Sequence, residues 1–253
     1  MLTAMLTALP SLSLLGHGHG HLRCNRNYCT SAIMSDASYD ADTDTPEEYI
    51  AVLHLLQEAD CSGRWPATSR ARAKVLRVDD PLTGGSFSLR APDVADPPTW
   101  RGRGTRGNLQ FPELASAIFD LERTIAPGRP PSAMVAVNRR ALFLPHTSPG
   151  AGVGESLIVG LGAYTGGELA VEGEDDRDIR YAPLSFDGWH QCHWTRPFEG
   201  ERFSLVWFTP EDTTEGKKPY GATLDPRFMK GKVRFSIEGY DPETSHVAKQ
   251  EEK

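Results

Sequence analysis

The sequence is poor in cysteine, has no long apolar run and carries no overall excess of basic residues. Its four cysteines, Cys24, Cys29, Cys61 and Cys192, stand at irregular spacings, which argues against a disulfide scaffold and against a zinc site built from cysteine pairs. No run of about 18 apolar residues occurs, so the sequence predicts no membrane-spanning helix. The net charge of −7 disfavours indiscriminate binding of nucleic acid by the whole protein.

Basic residues are concentrated in one part of the chain. Residues 62–110 carry nine basic and four acidic side chains, whereas residues 1–61 carry two basic and eight acidic ones. A local basic patch is therefore compatible with the acidic total, and the middle segment is where we expect it.

Length and composition divide the 253 residues into four segments around one domain. We expect residues 1–44 to form a disordered tail or a targeting segment, and residues 45–132 to form a helical and basic extension. Residues 133–210 are the predicted β-rich core, and residues 211–253 a C-terminal extension whose last ten residues are frayed. We expect an intracellular protein, nuclear or cytoplasmic, with organelle targeting by residues 1–35 as the alternative.

The predicted helices precede the predicted strands. Apolar spacing predicts helices over residues 45–60 and 112–125, the first opened by a capping box at residues 45–48 and the second by Pro112. Short apolar or alternating runs between Gly, Pro, Asp and Asn then predict strands at residues 133–144, 156–161, 168–171, 179–186, 203–209 and 233–237. This pattern is typical of a mainly β (α+β) domain with flanking helices, built as a sandwich or a jelly roll.

Three side chains of the β region are candidates for chemistry. His146 ends the first long strand and precedes a glycine-rich loop, and His193 lies 47 residues later. Arg202 opens the most apolar strand, where a guanidinium is costly to bury without an anionic partner. That partner is either a structural carboxylate, such as Glu201 or Glu168, or the carboxylate of a ligand.

Several motifs in this region resemble one enzyme family. They are GLGAYTGGEL at residues 160–169, FDGW at 186–189, HW at 193–194 and PFEGERFSL at 197–205. Together they resemble the iron- and 2-oxoglutarate-dependent dioxygenases, and among these the TET/JBP-like group and its algal and protist relatives. The resemblance covers roughly residues 133–210, and it implies a double-stranded β-helix, that is, a jelly roll with helices packed outside.

The resemblance also implies a site. Members of the family hold Fe(II) with two histidines and one carboxylate, which leaves positions for 2-oxoglutarate and O₂. By this resemblance His146 and His193 are metal ligands, and Arg202 binds the far carboxylate of 2-oxoglutarate. Opposite strand parity then places His190 and Cys192 outside the site.

The chain departs from the family pattern at the third ligand. Ser148 stands two residues after His146, where the family has Asp or Glu. A rescued dioxygenase, in which another group such as Glu155 fills the vacant position, is one interpretation. A halogenase-like variant with a halide there is a second, and a protein with reduced or lost activity is a third.

The TET/JBP-like resemblance implies a nucleobase methyl group as substrate, reached by base flipping. Candidate phosphate contacts are five arginines: Arg101, Arg103, Arg106, Arg139 and Arg140. The same scaffold serves other hydroxylases, so the substrate stays open. The alternatives are a non-catalytic jelly-roll binding module and a cupin-like binder whose His146 and His193 lie more than about 5 Å apart.

Overall fold

The computed structural model describes residues 44–77, 84–92, 105–149, 151, 154–210 and 222–229. All of them belong to one compact unit that spans residues 37–253. Residues 1–43 of the predicted tail or targeting segment, the predicted strand at 233–237 and the predicted frayed C-terminus lie outside the described residues.

The structure confirms both long helices that the apolar spacing predicts. In chain order the helices are α1 (Glu47–Cys61), α2 (Arg70–Ala73), α3 (Arg106–Gln110), α4 (Pro112–Ile125) and α5 (Pro226–Met229). The capping box is not formed, because the N-cap is Pro46 and the hydroxyl of Thr45 instead contacts that of Tyr181 at 3.1 Å. None of the described helices has the length and hydrophobicity that a membrane crossing requires.

The strands are short and antiparallel. They are β1 (Leu76–Arg77), β2 (Gly85–Arg90), β3 (Met134–Arg139), β4 (Leu142–Phe143), β5 (His146–Thr147), β6 (Ser156–Leu161), β7 (Tyr164–Gly166), β8 (Leu169–Val171), β9 (Leu184–Phe186), β10 (His193–Thr195), β11 (Phe198–Gly200), β12 (Phe203–Phe208) and β13 (Thr223–Leu224). Five of these strands form the main sheet in the order β2-β3-β12-β6-β9, and four form a second sheet in the order β13-β5-β10-β8. Two further pairs are β1-β4 and β7-β11. This confirms a mainly β, α+β fold with flanking helices.

Alternation along the strands gives the main sheet two different faces. Odd-numbered residues of β2, β3, β12 and β6, such as Val137 and Leu205, pack against α1 and α4 in one apolar core. Even-numbered residues such as Asn138 and Ser204 face the opposite way, where Ala136 and Val206 border the cavity described below.

The segment over residues 45–132 is built into this domain. Strand β2 pairs with β3 along its whole length, from Gly85 opposite Arg139 to Arg90 opposite Met134. Helices α1 and α4 supply the apolar cover of the same sheet. Part of the segment 45–132 therefore supplies an edge strand and the helical cover of the sheet whose other strands lie within residues 133–210.

Candidate metal centre and ligand cavity

One cavity of about 290 Å³ is lined by residues of both large sheets. The main sheet contributes mostly small and apolar side chains, including Ala136, Ile158 and Val206. The second sheet contributes His146 and His193. This volume lies near the lower end of the range for small-molecule pockets, roughly 300–1,000 Å³.

The two histidines face each other across neighbouring strands. His146 of β5 and His193 of β10 are direct register partners, and their ring centroids lie 4.2 Å apart. Both side chains are buried and both line the cavity. The structure thus brings together two residues that are 47 positions apart in the sequence, and it contradicts the separation of more than about 5 Å that the cupin-like alternative requires.

Each imidazole is held in the tautomer that suits a metal ligand. Nδ1 of His146 lies 2.7 Å from the carbonyl oxygen of Leu144, and Nδ1 of His193 lies 3.0 Å from that of Gln191. A carbonyl oxygen only accepts, so Nδ1 of each ring donates, and the lone pair of the neutral ring resides on Nε2. A backbone carbonyl in this role is the usual support of a metal-binding histidine.

Both rings are neutral near pH 7. Burial lowers the pKa of His193 from 6.5 to about 4. Burial, followed by the neighbouring charge of His193, lowers the pKa of His146 well below its ordinary value. Neutral imidazoles bind metal ions, so these shifts favour ligation and disfavour a pair of imidazolium ions.

The third ligand of the family pattern has no acidic replacement among the described residues. Ser148 lines the cavity, and its backbone N–H donates to the carbonyl of Gly188 at 2.7 Å. Glu155, the acid that the rescue hypothesis names, is not a cavity-lining residue. Within the described part of the chain, no third His, Cys, Asp or Glu forms a close ligand group with the two imidazoles.

A separate group of potential ligand atoms lies outside the cavity. Glu172, Cys192 and Asp225 have ligand atoms within 4.8 Å of one another. Arg227 already pairs with both carboxylates, and burial raises the pKa of the Cys192 thiol far above its ordinary value. This arrangement is explained as a neutralised ion-pair cluster, because metal binding would require the thiolate that burial disfavours.

His190 is not one of the residues that line the cavity, and it lies in a turn before β10, so strand parity does not apply to it. It is exposed, its Nδ1 lies 2.8 Å from Oδ2 of Asp187, and its ring stacks on Trp189. Cys192 is likewise absent from the lining residues.

Arg202 is buried beside the cavity but is not one of its lining residues. Its Nη2 donates to the carbonyl of Gly167 at 2.9 Å, and the guanidinium lies over the rings of Tyr164 and Phe198. Neither Glu201 nor Glu168 forms an ion pair with it among the described contacts. Burial lowers the pKa of Arg202, which is the cost expected of a guanidinium without a carboxylate partner.

Two polar atoms at this position have no hydrogen bond of acceptable geometry. They are Nε of Arg202 and the hydroxyl of Tyr164. The hydroxyl lies over Gly160, where an added Cβ would collide with it, and burial raises the pKa of Tyr164 to about 12. The sequence gives no sign of a role for Tyr164, because the motif around Gly166 and Gly167 is equally typical of a turn.

The arginines predicted to contact phosphate are placed as follows. Arg139 and Arg140 both pair with Asp60 of α1, and Arg139 also lies over the ring of Trp65 at 4.7 Å. These contacts are on the helix side of the main sheet, so the structure does not bring the two arginines to the cavity. Arg106 is exposed at the start of α3, whereas Arg101 and Arg103 lie outside the described residues. A phosphate contact by any of these arginines stays a prediction.

A different arginine does line the cavity. Arg72 of α2 is half-buried, and its Nη1 donates to the hydroxyl of Ser86 at 3.1 Å. Sequence reasoning missed it because Arg72 lies in an irregular basic segment with no motif around it. The contact depends on how the segment folds back over β2.

No protein-family model matches the chain, and a search of curated proteins finds no match. The assignment that follows therefore depends on the geometry above and on the motifs in residues 160–205.

Proposed function

We propose that this protein is an oxygenase-like protein of the Fe(II)- and 2-oxoglutarate-dependent class, with a jelly-roll core. The observation that carries the proposal is the pair of buried, facing imidazoles of His146 and His193, each held through Nδ1 to a backbone carbonyl. Two antiparallel sheets on either side of one cavity are the arrangement from which a jelly roll is built, which supports the finer fold assignment.

The donor set fits Fe(II) in two of its three protein positions. Two neutral imidazoles with lone pairs on Nε2 are suitable ligands for this ion. Ser148 offers a hydroxyl where the family has a carboxylate, so the chain supplies one negative charge less. We therefore expect weaker binding of the metal than in a complete triad, with the remaining positions open to the co-substrate, water or another anion.

The fit to 2-oxoglutarate depends on Arg202 and Tyr164. Nε of Arg202 and the hydroxyl of Tyr164 form no well-aligned hydrogen bond, although the two groups lie close enough for each to influence the pKa of the other. A carboxylate would supply acceptor oxygens to both. Arg202 directly precedes β12 and stands two residues before Ser204, so alternation places it on the same side of the main sheet as Ser204, although it does not line the cavity. This agreement between an unsatisfied cation and a dicarboxylate supports the role that the resemblance assigns to Arg202.

With both bound, iron and 2-oxoglutarate would supply the oxidising power to hydroxylate an unactivated C–H bond, with O₂ as the oxidant. The chain's own residues would hold and orient the metal and the co-substrate. Leu144 and Gln191 fix the two imidazole rings through their carbonyls, and Ile158, Leu169 and Phe186 give the cavity an apolar wall that limits access of water. A methyl group on a nucleobase is one proposed substrate, and small molecules of other classes are the alternative.

A second candidate function follows from Ser148. A jelly-roll module that has lost the iron-binding carboxylate would keep the cavity and bind a ligand without turnover. The absence of a third acidic ligand beside the two imidazoles, within the described residues, favours this alternative.

The proposal is tested by anaerobic titration of the protein with Fe(II) and 2-oxoglutarate. We expect the metal-to-ligand absorption band that a chelated 2-oxo acid gives, and its loss in His146→Ala and His193→Ala. Loss of a metal ligand should reduce the metal affinity by more than the roughly 10–100-fold that loss of an outer-shell partner costs. His190→Ala is the matched control, because this imidazole is exposed and bonded to Asp187. If the wild-type protein gives no band and no 2-oxoglutarate turnover, the enzyme proposal is wrong.

Substitution of Ser148 separates the two candidate functions. Ser148→Asp restores the carboxylate at the expected position, so it should tighten metal binding and raise 2-oxoglutarate turnover if only the ligand is missing. Ser148→Asn, of similar size and without charge, is the control. Tighter metal binding without turnover would favour the binding module.

A further inference from the structure

The main sheet forms the floor of the cavity, and the residues of this floor lie in rows of different character. Asn138 of β3 and Ser204 of β12 are register partners in a polar row. The next row along β2, β3, β12 and β6 consists of four successive register partners: Ser88, Ala136, Val206 and Ile158. All four line the cavity and three of them are apolar, so this second row is named the apolar row.

Phenylalanine rings border the two imidazoles inside the cavity. Phe143 lies beside His146, with ring centroids 5.6 Å apart, and Phe186 meets His193 edge-on at 4.9 Å. Both phenylalanines line the cavity, as does Phe208. A molecule that approaches the imidazoles therefore meets hydrocarbon surface next to each of them.

The lining of the cavity offers little to a charged molecule. Among the described residues that line it, no Asp, Glu or Lys is present. Arg72 is the one with a permanent charge, and its guanidinium is engaged within the protein, where Nη1 donates to the hydroxyl of Ser86. A charged molecule would give up its hydration on entering, and burial of a charge without a dedicated partner is costly.

Ala136 provides much of the room over the floor. Its neighbours on β3, Val135 and Val137, are β-branched residues of the kind that strands favour, and both are fully buried on the helix side. Alanine is depleted in strands, and its small side chain leaves space in the apolar row. The cavity of about 290 Å³ is roughly twice the ~150 Å³ that admits benzene in an apolar protein core. One aromatic ring with short substituents therefore fits.

We infer that the substrate is an uncharged small molecule with an apolar body about the size of one substituted aromatic ring, and that Ala136 and Val206 limit its size. This inference rests on the proposed function for the site, and it adds the class of substrate. Apolar contacts with the phenylalanine rings and the apolar row favour such a molecule. The same surroundings disfavour ions of the same shape.

The test compares ring probes of one shape and different charge by fluorine-19 ligand-observed NMR. The probes are 4-fluorotoluene, 4-fluorobenzoate and 4-fluorobenzylammonium, each added to metal-free protein and to protein saturated with Zn(II) and 2-oxoglutarate. Zn(II) has no redox chemistry, so binding is measured without turnover. We expect the neutral probe to bind at least about tenfold more tightly than either ion. Equal or tighter binding of an ion would overturn the inference.

A methylated nucleobase is the other class of substrate that the experiment examines. 1-Methylthymine is neutral and of similar size, but its ring carries polar groups that an apolar row leaves without hydrogen-bond partners. We expect it to displace 4-fluorotoluene at least about tenfold less effectively than toluene does. Displacement as effective as that by toluene would overturn the inference in favour of the nucleobase.

Two substitutions in the apolar row change the size of the cavity in opposite directions. Ala136→Leu fills part of the floor and should weaken binding of 4-fluorotoluene about tenfold. Val206→Ala removes two methyl groups and should raise the affinity for the larger 2-fluoronaphthalene about tenfold relative to that for 4-fluorotoluene. Ala67→Leu is the matched control, because Ala67 is exposed and does not line the cavity.

Circular dichroism checks that each variant keeps the fold, and Val206→Ala decides alone if Ala136→Leu does not fold. Unchanged binding in a folded cavity variant would overturn the inference, as would an equal loss in Ala67→Leu.

The same experiment distinguishes this inference from the proposed function. If Zn(II) and 2-oxoglutarate fail to bind but metal-free protein still prefers the neutral probe and responds to both cavity variants, the proposed function is wrong and the apolar site stands. If 2-oxoglutarate binds through Arg202 but the neutral probe is not preferred, the inference is wrong and the proposed function stands.

Discussion

The two faces of the main sheet are made by the same strands but have opposite character. On the helix side Val137, Leu205 and Trp207 are fully buried in one apolar core. On the cavity side their immediate neighbours Asn138 and Ser204 are polar. Alternate residues of one strand therefore have different surroundings, because one set packs into the apolar core and the other set faces the side of the cavity.

Energetically the two faces are unequal. Complete burial of a large apolar side chain contributes about 1.5–3 kcal/mol, and the helix side carries many such side chains. On the cavity side, polar groups exchange bonds with water for bonds with each other, at a net contribution of about 1 kcal/mol or less for each bond. We therefore expect substitutions on the helix side to act on stability, and substitutions on the cavity side to act mainly on binding.

The largest expected effect is that of a cavity created on the helix side. Leu205→Ala should lower the free energy of unfolding by about 4 kcal/mol, because Leu205 is fully buried between sheet and helices. The adjacent Val206→Ala should cost about 1 kcal/mol, because Val206 already borders the ligand cavity and is half-buried. Urea denaturation of both variants measures the difference. Equal losses would show that the two faces are packed alike.

The sequence predicted the helix side well. The apolar stripe of residues 112–125 gave α4 at its observed bounds, and Leu114, Ile118 and Leu121 of that stripe are buried. The runs at 156–161 and 203–209 gave β6 and β12 closely. Local periodicity suffices for such elements, because the period of the apolar residues is itself the signal.

The cavity side was predicted in part. The motifs led to His146 and His193, which the structure brings together, but no pattern pointed to Arg72 or to the hydroxyl of Tyr164. Arg139 was expected near a substrate, although its odd position on β3 places it against Asp60 on the helix side. Such contacts depend on strand register and on how distant segments of the chain fold back, and the local spacing of apolar residues predicts neither.

Acidic pH should lower the stability of the fold through the two histidines that line the cavity. His193 has a pKa of about 4 in the folded protein and 6.5 as its ordinary value, so the unfolded chain binds the proton more tightly. Stability is then fully present above pH 6.5 and falls as the pH drops towards 4, by about 3 kcal/mol for this residue in metal-free protein. His146 acts in the same direction.

Denaturation of chelator-treated protein between pH 7 and pH 4 measures this effect. His193→Asn should remove the part of the dependence that His193 supplies, and the part that His146 supplies should remain. A wild-type protein whose stability stays constant over this range would contradict the burial of neutral imidazoles.

Overpacking at Gly160, on the cavity side of the main sheet, should lower the free energy of unfolding by a smaller amount. Gly160→Ala places a Cβ against the hydroxyl of Tyr164, so we expect a loss of about 2 kcal/mol. Tyr164→Phe removes that hydroxyl, which forms no well-aligned hydrogen bond, and should cost little in the ligand-free protein. The double variant should regain most of the stability lost by Gly160→Ala while binding 2-oxoglutarate about tenfold more weakly than the wild type. Additive losses would place the collision elsewhere.

The smallest effect on stability is expected at Ser204. Ser204→Ala removes one of the two acceptors of Asn138 Nδ2 and keeps the other, the backbone carbonyl at 3.2 Å. The free energy of unfolding should therefore fall by less than about 1 kcal/mol. Thermal denaturation beside Leu205→Ala measures this contrast between two neighbouring residues of one strand. A loss as large as that of Leu205→Ala would mean that the polar residues Asn138 and Ser204 hold the sheet together as firmly as the apolar face does. The division between the two faces would then be wrong.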